Sequence, residues 1–103
     1  MSDEGSAFGE GGFVRRRIRV VGRVQGVGFR AWTVRRASRL GLRGRVRNLA
    51  DGSVDIEVEG DRGSVDRLIE LVRRGPSSAF VRDVLETTPG NDALPGGFEV
   101  GFG

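Results

Sequence analysis

The 103-residue chain contains neither cysteine nor histidine. The first absence removes disulfides, thiolate nucleophiles and cysteine-based metal sites; the second removes the usual proton shuttle and a common metal ligand. Lysine is missing too, so all 17 basic residues are arginine. An all-arginine complement reads first as a coding bias, although a guanidinium also binds oxyanions in a more oriented way than an ammonium. No apolar run approaches the roughly 20 residues needed to cross a bilayer, and the start of the chain lacks the charged and apolar regions of a secretory signal. No membrane association is expected, and the cytoplasm is the default location.

The length supports one domain with a single core. Residues 1–12 are rich in glycine and serine, carry Asp3, Glu4 and Glu10, and show no apolar periodicity. They read as a flexible leader to a domain spanning 13–103. Setting those three acids aside leaves 11 acids against 17 arginines, a net charge of +6 compared with +3 for the whole chain. A cationic domain attracts phosphates, nucleic acid and acidic surfaces alike, so charge does not choose among them.

The pattern of apolar residues predicts five strands and two helices. Residues 14–21 alternate as a half-buried strand, with Ile18 and Val20 inward and Arg17 and Arg19 towards water. A helix over 30–40 would bury Ala31, Val34, Ala37 and Leu40 and stop at Gly41. Strands over 43–49 and 53–59 flank the hairpin signal Asp51-Gly52, with Val54, Ile56 and Val58 alternating against Asp55, Glu57 and Glu59. A second helix over 63–74 has Val65, Leu68, Ile69 and Val72 on one face, a cap at Asp61 or Ser64, and a stop at Gly75-Pro76. Residues 80–87 read as a fourth strand, with either Val81 and Leu85 or Phe80 and Val84 inward. A linker over 88–96 leads to a short fifth strand over 97–102. The order βαββαβ plus one strand is that of an α+β, ferredoxin-like sandwich, with both helices on one face of a mainly antiparallel sheet.

The densest chemistry lies in Val24-Gln25-Gly26-Val27-Gly28-Phe29-Arg30, where an apolar strand passes through glycines into a helix. Bare backbone with positive φ lets consecutive N–H groups converge on one oxyanion, and an arginine adds a planar two-pronged cation. The spacing matches neither the dinucleotide fingerprint nor the P-loop. A cation at the positive end of a helix is unfavourable unless an anion lies between them. Taken singly, Arg30 is equally a hydrated surface residue, and Asn48 a turn residue before Asp51-Gly52.

The wording V-Q-G-V-G-F-R resembles the signature of the acylphosphatase family. The resemblance continues through Ala37, Leu40-Gly41-Leu42, Gly44, Val46-Arg47-Asn48, Asp51-Gly52-Ser53-Val54 and Gly75-Pro76. It implies a small enzyme without metal or cofactor. Its phosphate loop would be Gln25, Gly26, Val27, Gly28 and Phe29, and its catalytic pair Arg30 and Asn48. Two positions depart from the family pattern: Arg45 stands where a tryptophan is common, and Ala31 where an aromatic often follows the arginine.

The expected reaction is hydrolysis of a small acyl phosphate to carboxylate and inorganic phosphate, the latter also acting as inhibitor. The leaving carboxylate is stable at neutral pH, so no general acid is required; the protein has to neutralise the phosphoryl charge and hold one water in line. The loop N–H groups and Arg30 would do the first. Asn48, an acceptor and donor at once, would do the second. The expected form is a monomer that binds no nucleic acid. Two other readings compete: an anion-binding domain without turnover, as in the acylphosphatase-like domain of hydrogenase maturation proteins, and a basic RNA-binding sandwich. The second is weakened by the outward acids of the third strand.

Overall fold

The structure, a computed structural model, describes residues 12–101. Most of the expected leader, and Phe102 of the expected last strand, lie outside the described residues. The elements follow the order β1 (Phe13–Arg23), α1 (Phe29–Arg39), β2 (Arg43–Asn48), β3 (Val54–Asp61), α2 (Arg62–Arg74), β4 (Phe80–Thr87) and β5 (Phe98–Val100). They form one sheet in the order β4-β1-β3-β2-β5. Every pairing is antiparallel except β2 with β5, which is parallel, so the sheet is mixed. This is the ferredoxin-like α+β architecture, extended at one edge by β5.

Alternation places Ile18, Val20, Val46, Val54, Ile56 and Val58 on the inner face, each at most 1% exposed. Against them α2 lays Val65, Leu68, Ile69 and Val72. Asp61 supplies its cap, accepting from the Ser64 N–H at 3.1 Å. The stripe of α1 differs from the expected one. Phe29, Trp32, Thr33 and Ala37 are buried, Ala31 is exposed, and Val34 and Leu40 are only partly covered. A strict three-residue repeat drifts about 60° per step around an α-helix, so Ala31 and Ala37 cannot share a face. The i, i+3, i+4 set starting at Phe29 can, and Thr33 satisfies its hydroxyl by donating to the Phe29 carbonyl at 2.9 Å.

Neither alternation expected for β4 is realised. Val81 and Val84 both pack on the core, while Phe80 is 64% and Leu85 38% exposed. The cause is a bulge: Val21 pairs with Asp83 and Gly22 with Val81, which leaves Arg82 as the extra residue and flips the phase between the two valines. Gly22 is required there, since a Cβ would stand 2.1 Å from the Phe80 carbonyl oxygen.

The outer face of the sheet is not simply wetted. Asp55 and Glu57 are 4% and 1% exposed. The arginines of β1 and β2 lie over them: Arg17 and Arg47 reach Asp55 at 2.9 and 3.0 Å, and Arg15 reaches Glu57 at 2.9 Å. The linker after β4 completes the cover. It must travel from one sheet edge to the other, and it does so over this face, donating the Gly90 N–H to Glu57 Oε2 at 2.7 Å and placing Asp92 between Arg15 and Arg45. Burial pushes the Glu57 carboxyl up, but the Gly90 N–H, the hydrogen bonds and charge of Arg15 and the charge of Arg17 outweigh it and hold its pKa below the ordinary glutamate value.

A carboxylate depressed in this way stabilises the fold in full above its unfolded-state pKa, and the stabilisation is lost as pH falls through the lower folded value. Glu57→Gln should therefore cost about 3 kcal/mol at neutral pH. The gap from the parent should close below about pH 4. Urea unfolding across pH measures it; a gap unchanged in acid would mean that the charge on Glu57 is not its source.

Candidate active site

Val24, 1% exposed, anchors the end of β1 in the core, and the chain then leaves the sheet through the loop to α1. Gly26 and Gly28 have φ of 75° and 79°. A Cβ at either would meet nothing within 4 Å, so glycine is needed there for backbone direction rather than for space. Gly28 is the N-cap of α1 and offers no side chain to it, and no acid lies in the first turn. Among the described residues, nothing accepts from the main-chain N–H groups of residues 26–30. They add to the positive end of the helix as a set of open donors.

Arg30, in the first turn, has no carboxylate or other hydrogen-bond partner among the described residues. That separates it from the paired arginines of the outer face. Together Gly26, Gly28, Arg30, Ala31 and Val100 line an open cleft of about 250 Å³. Loop glycines and arginine thus come together as the sequence led one to expect. Val100 is the addition: β5 lies beside β2 and against α1, so the last described strand supplies an apolar wall. A three-residue strand after a Gly- and Pro-rich linker carries no signal of that role.

Asn48 ends β2 opposite Val54, two residues beyond inward-facing Val46. It is not among the residues lining the cleft. Its Oδ1 is nevertheless buried, with no hydrogen-bond partner among the described residues. The turn that follows Asn48 is tied to the loop by Gln25, whose Nε2 donates to the carbonyls of Leu49 and Ser53, both at 2.8 Å. The Gln25 side chain is thereby consumed in bracing, and only its main chain is left for a ligand. Phe29 is likewise a core side chain, 1% exposed and 5.5 Å from the Trp32 ring. Ser78 adds a second brace, donating to the Val27 carbonyl at 2.7 Å.

The two departures noted in the sequence separate in space. Ala31 lines the cleft and leaves room beside Arg30. Arg45 lies on the far face, bound to Asp92 at 2.8 Å and to Glu57 at 3.4 Å, where it serves the charged layer.

Removing the Gln25 brace should act on both segments at once. Gln25→Ala is expected to lower stability by about 2 kcal/mol, roughly 1 kcal/mol for each hydrogen bond lost. It should also speed hydrogen exchange in the 26–30 loop and in the 49–53 turn together. Faster exchange in the loop alone would show that the two are not coupled through this side chain.

Comparison with known proteins agrees with this geometry. The acylphosphatase family model matches residues 16–100. The chain is 53% identical over 75 residues to an acylphosphatase of Acidiphilium cryptum, covering 73% of this chain and 82% of that one. It is 45% identical over 83 residues to one of Rhizobium meliloti, covering 81% and 87%. The crystal structure of acylphosphatase from Bacillus subtilis superposes with a TM-score of 0.76 at 34% identity, covering 84% of this chain and 96% of that one. With the loop, the arginine and the asparagine segment all inside the matched span, the chain belongs to the acylphosphatase family.

Proposed function

We propose that this acylphosphatase works by charge neutralisation and aim alone. The N–H groups of residues 26–30 and the Arg30 guanidinium hold the phosphoryl oxygens, and Asn48 orients the attacking water. The observation that carries the reading is the set of unclaimed donors: consecutive loop N–H groups, and a guanidinium without a carboxylate, around one cleft. The orphaned Asn48 Oδ1 supports the second half, because a carbonyl oxygen that accepts from a water turns the water's lone pair outward.

In the step, water oxygen bonds to phosphorus as the P–O bond to the acyl oxygen breaks; the electron pair leaves with the carboxylate. The water proton passes to a phosphoryl oxygen or to solvent, since an amide side chain is no base. Donors fixed where charge grows do not have to reorganise during the reaction, which is why a site without a titrating group near neutrality suffices. The leaving group needs neither acid nor Lewis-acid assistance, so the reading calls for no metal and no phosphoenzyme.

The same reading takes the enzyme as a cytoplasmic monomer acting on small acyl phosphates rather than on nucleic acid. Two observations bear on its membrane and nucleic-acid parts. Among the described residues no helix is long and apolar enough to cross a membrane. On the sheet face where RNA readers stack bases, Arg15, Arg17, Arg45 and Arg47 are already bound to carboxylates.

Arg30→Ala should lower kcat/KM for benzoyl phosphate by about a thousandfold, the loss of a main transition-state donor, and should weaken phosphate inhibition. Asn48→Ala should lower kcat by about a hundredfold with KM little changed. Circular dichroism controls for folding, and activity should persist with chelator added. Near-parental kcat/KM in both folded variants would sink the assignment.

A further inference from the structure

On the outer sheet face, Arg15, Arg17 and Arg19 of β1 and Arg43, Arg45 and Arg47 of β2 flank three acids of β3. The β2 arginines bind straight across: Arg43 to Glu59, Arg45 to Glu57, Arg47 to Asp55. The β1 arginines do not. Arg15 faces Glu59 in the ladder but binds Glu57, and Arg17 faces Glu57 but binds Asp55. Sheet twist brings the diagonal residue within reach of a long side chain. A diagonal shift along the whole strand leaves the last arginine without an acid, because two residues beyond Asp55 towards the turn stands Ser53. Arg19 is that residue. Among the described residues its Nε is buried without a partner, and its nearest carboxylate oxygen, Asp51 Oδ2, is 3.7 Å from Nη1, beyond hydrogen-bonding distance.

Arg19 opens onto a pocket of about 400 Å³ floored by Val21 and Gly22, bounded by the 51–53 turn on one side and by Arg82 on the other. Arg82 is the residue that the β4 bulge throws out of register, and among the described residues it has no partner. Asp51 is the one acid in the lining, and its Oδ1 is taken by the Ser53 N–H and hydroxyl. Two guanidiniums therefore face one carboxylate, with a positive charge left over. The pocket shares no lining residue with the cleft at Arg30.

We infer that this pocket is a second anion site, which takes a small tetrahedral oxyanion such as inorganic phosphate between the guanidiniums of Arg19 and Arg82. A compact ligand fits better than a polyanion, because each of the other five arginines of the face already holds a carboxylate while Arg19 and Arg82 do not. The bulge and the diagonal pairing, which cost the sheet an ordinary ladder and a salt bridge, together create the site. It is independent of the catalytic reading above.

Titration of the isotopically labelled full chain with inorganic phosphate, followed by nitrogen–proton NMR including the arginine Nε–H signals, tests it. Two saturable sets of shifts are expected: one on residues 26–30, the other on Gly22, Ser53 and the Nε–H of Arg19 and Arg82. Arg82→Gln, an exposed change on an edge strand, should weaken the second set by about tenfold, the worth of one charge-assisted contact. It should leave the first set and hydrolysis unchanged. Arg30→Ala should do the reverse. No saturable shift at Ser53 and Arg19 in the parent, or an unaltered second set in Arg82→Gln, would overturn the site; loss of the first set alone would bear only on the catalytic reading.

Discussion

The buried Glu57 carboxylate is the constraint on which the outer half of the molecule is organised. A charge removed from water is tolerable only if every lone pair finds a donor, and here donors come from three directions. Arg15 brings β1, Arg45 brings β2, and the Gly90 N–H brings the linker that follows β4. Once Gly90 and Asp92 are fixed, the chain has crossed the face, and β5 can settle beside β2 with the Gly97 carbonyl accepting from the Gly44 N–H at 3.0 Å. Val100, the apolar wall of the cleft, is thus placed by a carboxylate on the opposite side of the sheet.

The inner side depends on a different economy of donors. A helix start ordinarily fills its open N–H groups with a serine, aspartate or similar cap. At α2 Asp61 does so; at α1 the cap is a glycine and the donors remain open. The same contrast holds between Arg15, Arg17, Arg45 and Arg47, paired over the sheet, and Arg30, which has no partner among the described residues. Because nothing among the described residues accepts from the loop N–H groups, its shape must come from elsewhere: two left-handed glycines set its direction, and Gln25 and Ser78 brace it. The bracing uses side-chain donors and main-chain carbonyls, and so leaves the ligand-facing N–H groups unspent.

Much of this was legible in the sequence wherever one local signal sufficed. The Asp51-Gly52 hairpin, the α2 stripe and the glycine loop each depend on near neighbours in the chain, and each lies where the pattern put it. What escaped depended on partners far along the chain. The α1 stripe was legible only in part: Ala37 is buried and Val34 and Leu40 pack against the core, but Ala31 is exposed, and the most buried face is the one that starts at Phe29. The phase of β4 turned on a bulge that only pairing with Gly22 reveals. Asp55 and Glu57 read as wetted because alternation tells which way a side chain points but not what lies over it. Gln25 was placed correctly in the loop, yet its side chain proves to be a brace, and Val100 gave no sign at all.

The absence of lysine acquires a structural consequence at this point, whatever its origin in coding. Arg15 donates both Nε and Nη2 to Glu57 Oε2, and Arg17 sets Nε and Nη2 against the two oxygens of Asp55. Arg15 also donates Nη1 to the Asp92 carbonyl at 2.6 Å, so one planar group joins a strand acid to the crossing linker. An ammonium is a point charge without that fork, and it is more strongly hydrated, which makes it a poorer lid for a buried carboxylate. Both the charged layer and the anion loop therefore draw on the same property of the guanidinium, directional donation to oxygen with little loss of hydration. They differ only in whether the oxygen belongs to the protein or has to be brought by the substrate.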